Sequence, residues 1–580
     1  GGTSYDAQYG RAAGGSFNVN VKAGTNSFHG AAYDNFGHEA LNANSVQNNR
    51  AGIAKSLNRR HTFGGVLGGP VRMDGTFFFA SYEGFRQNFP TTPTGSVPPL
   101  DWRKGNFAQS GYNIYDPLST TCVRTNPQGQ CSQYSRSQFP GNVVPVGRIS
   151  AIGQAIVNLY PEPTNPGVRS NYVVPGPRDF LYDQVIGRID ENFSPNTRLY
   201  GMVTFQKNLA HSPGNAFPNI ASTEQVPSGR DYNAILSLTR LMSPSLVADL
   251  RLSFGRYTNS TVWGRTLKEN FTGDKIGGLM MPLVPTTTHL NVAPAITVDG
   301  YTALFDNRQS GTVSNDWDFG ANLAHIKGPH NLRYGFEFMN VQSGDSGIPG
   351  RPNGTFAFNP NWTRSNPLAA TTGHGLGIAS LLLGYPNAGT VDWNSNLFVN
   401  YHYYALYVQD DFKLSRNVTL NMGLRWDVNK SPRERFDRIN AGFCFTCENP
   451  YTSQIAYSRF PNLQKPLRGG LMFAGAGAPR GPFDVHWHNW QPRFGISWAR
   501  TPKLVFRGGY GIYYSWGRLN TDSIGFNQST PYISSLDGNL TPTNYFLVGQ
   551  PYPNGALAPA GSSPGLATQA GLGVNYASPD

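Results

Sequence analysis

Residues 417–428, NVTLNMGLRWDV, alternate with almost no exceptions. Val418, Leu420, Met422, Leu424 and Trp426 share one face; Asn417, Thr419, Asn421, Arg425 and Asp427 share the other, with Gly423 between. Side chains alternate across a strand, so a spacing of two residues predicts a β-strand with one apolar face; a helix would scatter these residues around its circumference. The run is also long. Globular strands usually span about 5–6 residues, whereas a tilted strand crossing a bilayer needs about 9–11. The pattern recurs in RLYGMVTFQ (198–206), LVADLRLSFG (246–255), NLRYGFEF (331–338) and KLVFRGGYGIYY (503–514).

The connections constrain the fold further. Short polar turns join the strands in pairs: FSPNTR (193–198), MSPSL (242–246), IKGPHN (326–331), LSRN (414–417) and RTPK (500–503). Between these hairpins lie long Pro/Gly-rich stretches near 87–179, 207–230, 258–310 and 429–489. A chain that alternates tight turns with very long loops gathers its short links at one end, the asymmetry of a membrane barrel. Aromatic residues placed at similar distances from the turns, Tyr404, Trp426, Trp490 and Tyr513, predict an interfacial girdle, with Tyr232 and Tyr257 in the same relation to MSPSL.

Composition agrees with this class. The 580 residues are 39% hydrophobic and 13% aromatic, with 67 Gly and 43 Pro. The longest apolar run, IASLLLGY (378–385), is far short of the ~20 residues of a spanning helix, but a barrel hides its apolar residues in alternation. GIASLLLG (377–384) reads instead as a short helix over the barrel mouth. The net charge of +12 is spread along strands and loops rather than clustered with aromatics on one face, so nucleic acid is excluded as a partner. Cys122/Cys131 and Cys444/Cys447 lie in two distant loop regions without a histidine cluster or a βαβ setting; loop-stapling disulfides in an oxidising compartment fit them better than zinc or redox chemistry.

No catalytic constellation emerges, and neither a metal nor another cofactor is implied. GAGAPRG (475–481) follows no strand-then-helix unit, and His486 and His488 lack a third ligand. Asp410 and Asp411, adjacent in a strand, face opposite ways, whereas a catalytic pair must converge.

Several stretches, in order along most of the chain, resemble the Oar-like group of TonB-dependent outer-membrane transporters. YDAQYGRAAGGSFNVNVKAGTNSFHGAAYDNF (5–36) is similar to the junction of plug and barrel in that group. RRHTFGGVLGGPVRMDGTFFFASYEGFRQ (59–87) resembles the hairpin that follows, GNFAQS and FPGNVVP (within 105–150) its first long loop, and YYALYVQDDFKLSRNVTLNMGLRWD (403–427) and QPRFGISWARTPKLVFRGGYGIYY (491–514) its later strands. The resemblance implies an all-β fold: a transmembrane antiparallel β-barrel, 22-stranded in the intact family, with about fifteen strands expected here. Residues 1–26 are expected to be the C-terminal end of the plug, its last strand near Gly14–Lys22, and 27–580 an incomplete barrel with long extracellular loops. The chain, starting without Met or an export signal, reads as an internal fragment.

The resemblance also implies the bacterial outer membrane as the location. Outer-membrane lipid, an extracellular ligand of unidentified type, and TonB with its inner-membrane energising complex are the implied partners, and uptake of a carbohydrate or peptide the implied function. A surface-binding or adhesion barrel and a passive pore are the alternatives. Arg188, Asp190, Asp249, Arg251, Arg333, Glu337, Arg425, Asp427 and Arg507 are the candidate lumen residues. They are expected to pair across strands, with some hydrogen-bonding a plug, while Val418 to Trp426 meet lipid.

Overall fold

The computed structural model describes the chain apart from residues 1–5, 12–19, 45, 51, 53, 266–270, 282, 285–291, 306–307, 515–521 and 570–580, and the side chains of 47 and 48. Most of the expected plug strand near Gly14–Lys22 thus lies outside the described residues. Among the described residues, thirteen long strands follow one another as antiparallel neighbours in a single sheet. They are β1 (His29–Gly37), β2 (Arg59–Arg72), β3 (Thr76–Asn88), β4 (Asp179–Ser194), β5 (Thr197–His211), β6 (Gln225–Ser243) and β7 (Leu246–Trp263). The wall continues with β8 (Gln309–Lys327), β9 (His330–Asp345), β10 (Phe398–Lys413), β11 (Val418–Asn429), β12 (Trp490–Thr501) and β13 (Leu504–Gly511). About fifteen were anticipated; of the shorter extended stretches, Arg433–Glu434 pairs with β10 of the wall, and the others pair among themselves outside it. Among the described residues no pairing joins β13 back to β1.

The strands reach 19 residues in β6 and β8, and each hairpin turn foreseen from the sequence is present. The turns after β4, β6, β8, β10 and β12, with a further one at 73–75 after β2, all lie at one rim. The long connections 38–58, 89–178, 212–224, 264–308, 346–397 and 430–489 leave from the other. Residues 346–397 were not anticipated as such a connection. They contain short strands and a helix of their own.

The two faces of the wall differ as alternation requires. Leu406, Val408, Met422, Leu424, Phe494 and Ile496 are exposed on the outer face. On the inner face of the same strands, Tyr403, Gln409, Arg425, Asp427, Gln491 and Arg493 are buried. Val418, Leu420 and Trp426 share the outer parity with Met422 and Leu424, half-buried among their neighbours. Leu424 stands opposite Val408 and Trp426 opposite Leu406 and Trp490, so the outer surface is a continuous apolar band.

Trp426 and Trp490 pack with ring centroids 6.2 Å apart, and Trp487 from the preceding connection stacks outside Trp426. Tyr404 lies 5.1 Å from Phe338 at the next outward level. Tyr513 departs from the girdle. Its ring lies under the guanidinium of the buried Arg493, 4.7 Å from its centre, on the inner side. Strand β13 ends at Gly511, and the alternation counted from Leu504 already puts odd-numbered residues on the face opposite the girdle.

The principal hydrophobic core lies outside the wall. Val97, Trp102, Phe107, Ile156, Phe217, Phe271, Ile296, Phe356, Trp362, Leu381 and Phe546 pack into one cluster, every member of which belongs to a long connection or to residues after β13. This cap contains a four-stranded sheet (Ala295–Val298, Thr355–Phe358, Ala388–Trp393 and Gln528–Pro531) and the helices Ala151–Val157 and Gly377–Leu382. The second helix, buried at all six positions, is the apolar GIASLL run. Arg136 ties two connections to the residues after β13. It is buried, and donates to the carbonyls of Asn361 (2.8 Å) and Leu540 (2.9 Å) and to Thr120 Oγ1 (2.9 Å). Burial, with Arg364 nearby, lowers its pKa to about 10, so it stays cationic at neutral pH. Cys122 and Cys131 are bonded across the hairpin Thr121–Thr125/Cys131–Ser135, and Cys444 and Cys447 within Asn440–Glu448.

Candidate plug-anchoring site

Residues 6–11 lie against the inner face of β9–β12, and the wall holds their backbone. Arg425, wholly buried, donates from Nη1 to the carbonyls of Ala7 (3.1 Å) and Gln8 (3.2 Å). Its Nη2 donates to Glu337 Oε2 (2.7 Å) and the Tyr403 hydroxyl (2.6 Å). Tyr403 in turn donates to Asp427 Oδ2 (3.1 Å), which also accepts from Gln491 Nε2 (2.5 Å). Arg493 donates to the carbonyls of Asp6 (2.5 Å) and Tyr9 (2.7 Å), and Gln409 Oε1 accepts from the Ala7 amide (3.0 Å).

Two ion pairs complete the contact. Arg333 bridges Asp6 and Asp411, at 2.5 Å each, and Arg11 meets Glu337 at 3.1 Å. A buried arginine is tolerated when its charge is paired, and here the terminal nitrogens of Arg425 meet a carboxylate, a phenol and main-chain carbonyls while its Nε faces Asp427 at 3.6 Å. Gly10 fits for lack of a side chain: a Cβ there would sit 2.3 Å from Arg425 Nε. The forks of Arg425 and Arg493 take backbone carbonyls of the segment, whereas Arg333 takes the Asp6 carboxylate. The site holds a peptide.

A second hold lies on β4 and β5. Asp190, wholly buried, accepts from Arg188 (2.8 Å) and Arg198 (2.5 Å), while Arg188 also donates to the carbonyl of Val21 (2.8 Å). Of the other lumen candidates, Asp249 accepts from Thr239 Oγ1 (2.8 Å) on the neighbouring strand. Arg251 and Arg507 are exposed, in register with Ser237 and Ser497. Asp410 and Asp411 diverge: the first pairs with His330 (2.7 Å), the second with Arg333.

Sequence reasoning missed Tyr403, Gln409, Gln491 and Arg493. The last two carried a usable signal. In WQPRFGISW they alternate with Trp490, Pro492 and Phe494, as Arg425 and Asp427 alternate with Leu424 and Trp426.

An apolar outer band this large demands a non-aqueous surrounding, and a charged inner face with residues 6–11 held against it completes the description of a transmembrane β-barrel. The chain belongs to the outer membrane beta barrel domain family, whose model matches residues 20–580, and it resides in the bacterial outer membrane. No curated protein matches it in sequence. Among solved structures, it is similar to the outer membrane transporter YddB from Escherichia coli, at 10% identity and a TM-score of 0.47, over 91% of this chain and 49% of that one. A variant of the ferric enterobactin receptor PfeA from Pseudomonas aeruginosa matches at 12% identity and a TM-score of 0.38, over 89% and 48% of the two chains. The siderophore receptor PirA from Acinetobacter baumannii matches at 9% and 0.40, over 87% and 46%. The chain spans about half the length of these structures.

The membrane setting yields a direct test. Leu424, 39% exposed on the outer face, is flanked by apolar residues on both neighbouring strands. Leu424→Arg is expected to cost about 2–4 kcal/mol near mid-bilayer, measured by reversible unfolding in lipid. A change near zero would contradict its outward assignment.

Proposed function

We propose that this protein is a TonB-dependent transporter of the Oar-like group, in which residues 1–26 are the C-terminal end of a plug and 27–580 the barrel and its extracellular loops. The observation that carries the reading is the grip of Arg333, Arg425 and Arg493 on residues 6–11. A pore or adhesin has no need to clasp a segment of its own backbone inside the wall. A gated importer does, because a lumen filled by a domain cannot leak and opens only when that domain moves. The cap captures the ligand, the held segment blocks passage, and a pull from the inner membrane shifts it. Carbohydrate or peptide material suits the breadth of the cap. A surface-binding barrel remains the rival class, with the folded cap as its binding element.

The test uses the full-length protein in its native membrane. Ala7 is fully buried, so a cysteine placed there is shielded while the segment stays seated. In cells growing on rich medium, an extracellular maleimide is expected to label Ala7→Cys only while the proton gradient is intact. Labelling that is absent throughout, or that persists equally after an uncoupler is added, would overturn energised gating.

A further inference from the structure

The outer face of β3–β7 carries a juxtaposition that the transport reading does not use. A groove of about 720 Å³ runs along this face, floored by Gly187, Gly201 and Ala234 and flanked by Ile189, Leu236 and Trp317. Its floor is open: a Cβ on Gly201 would meet nothing within 4 Å. Towards the long-connection rim, the next outward row holds Phe205, Tyr232 and Arg256, with the first two rings 5.0 Å apart. The row beyond sets Lys207 directly opposite Arg230.

Like charges directly opposed on a sheet are destabilising, and the carboxylate in register with Lys207 relieves them only from a distance. Asp183, the adjacent carboxylate in the row, is occupied by Arg86 (2.6 Å) and the Tyr82 hydroxyl (2.7 Å). Lys207 and Arg230 form no ion pair among the described residues, and Arg256 donates only to the neutral Asn315 (2.9 Å).

We infer that this face binds a phosphorylated, acylated lipid of the external leaflet, its phosphate on Lys207, Arg230 and Arg256 and an acyl chain in the groove. The dimensions agree. Arg230 stands four to six residues above Ala234 and Leu236, about 14–20 Å along the strand, against about 15 Å for one leaflet's hydrocarbon. The rings between them sit at the depth where aromatic side chains meet headgroups. A second copy of the chain on a twofold axis would set these cations against themselves, which disfavours it as the occupant. The inference rests on the outer-membrane location and not on the transport reading.

The test is retention of dioleoyl phosphatidic acid, offered in phosphatidylcholine vesicles to the purified full-length protein and read by native mass spectrometry. The double variant Lys207→Gln/Arg230→Gln is expected to lower retention roughly tenfold, whereas Lys503→Gln at the opposite rim leaves it at the parental level. Gly201→Leu, which fills the groove, is expected to lower it as well, and excess inorganic phosphate is expected not to compete. Equal retention by the double variant and the parent overturns the proposal, as does an equal loss in Lys503→Gln. Unchanged retention by a folded Gly201→Leu, or full competition by phosphate alone, overturns the acyl-chain half. If Gly201→Leu fails to fold, the double variant, altered at two exposed side chains, still decides.

Discussion

Replacing Arg425 with alanine is expected to cost about 3–5 kcal/mol and to free residues 6–11 from the wall. The side chain is wholly buried and makes four hydrogen bonds, two to the held segment and two to Glu337 and Tyr403. Its removal leaves Glu337 with Arg11 alone and Asp427 in a low-dielectric site with neutral donors. Most of the cost is that uncompensated charge rather than the lost contacts themselves. Arg425→Lys keeps the charge but not the planar fork, and cannot serve two carbonyls, a carboxylate and a phenol together. It is therefore expected to retain much of the stability while loosening the segment. Hydrogen exchange at the Ala7 amide separates the two effects, since that amide is bonded to Gln409 when the segment is seated. Unchanged exchange in both variants would show that Arg425 does not anchor the segment.

Truncating Phe356 to alanine is expected to cost the cap about 3–5 kcal/mol while leaving the wall intact. Phe356 is fully buried and packs edge-on against Tyr532 (5.9 Å) and Phe546 (4.8 Å), joining the 346–397 connection to the residues after β13. Because the cap core contains no wall residue, the loss should appear as a separate, earlier transition. Limited proteolysis would then cut within 89–178 and 346–397 at temperatures where the barrel still migrates as folded on a gel. Simultaneous loss of barrel and cap would show that the two are one cooperative unit.

The placement of charge on β11 illustrates how much was legible in one dimension. Arg425 and Asp427 alternate with Leu424 and Trp426, and that period alone places them on the face away from the apolar band. The rims were legible for a similar reason: a turn such as SPN or TPK cannot reach across a membrane, so short links gather on one side. Tyr513 was misplaced because its distance from a turn was counted without its parity. Apart from the helix read at 377–384, the connection 346–397 was not foreseen, because its strands are short and pair with one another and with segments before β8 and after β13.

Period and turn chemistry are local properties, written in residues a few positions apart, and they sufficed for the strand type, the greasy and polar faces and the two unlike rims. Which backbone the inner arginines clasp, and that the long connections condense around a dry core of their own, depend on contacts between residues hundreds of positions apart. Arg425 meets Ala7 across 418 residues and Arg136 meets Leu540 across 404. No pattern within a strand encodes such a meeting; it follows from the curvature and register of the assembled wall and from which apolar side chains find one another above it.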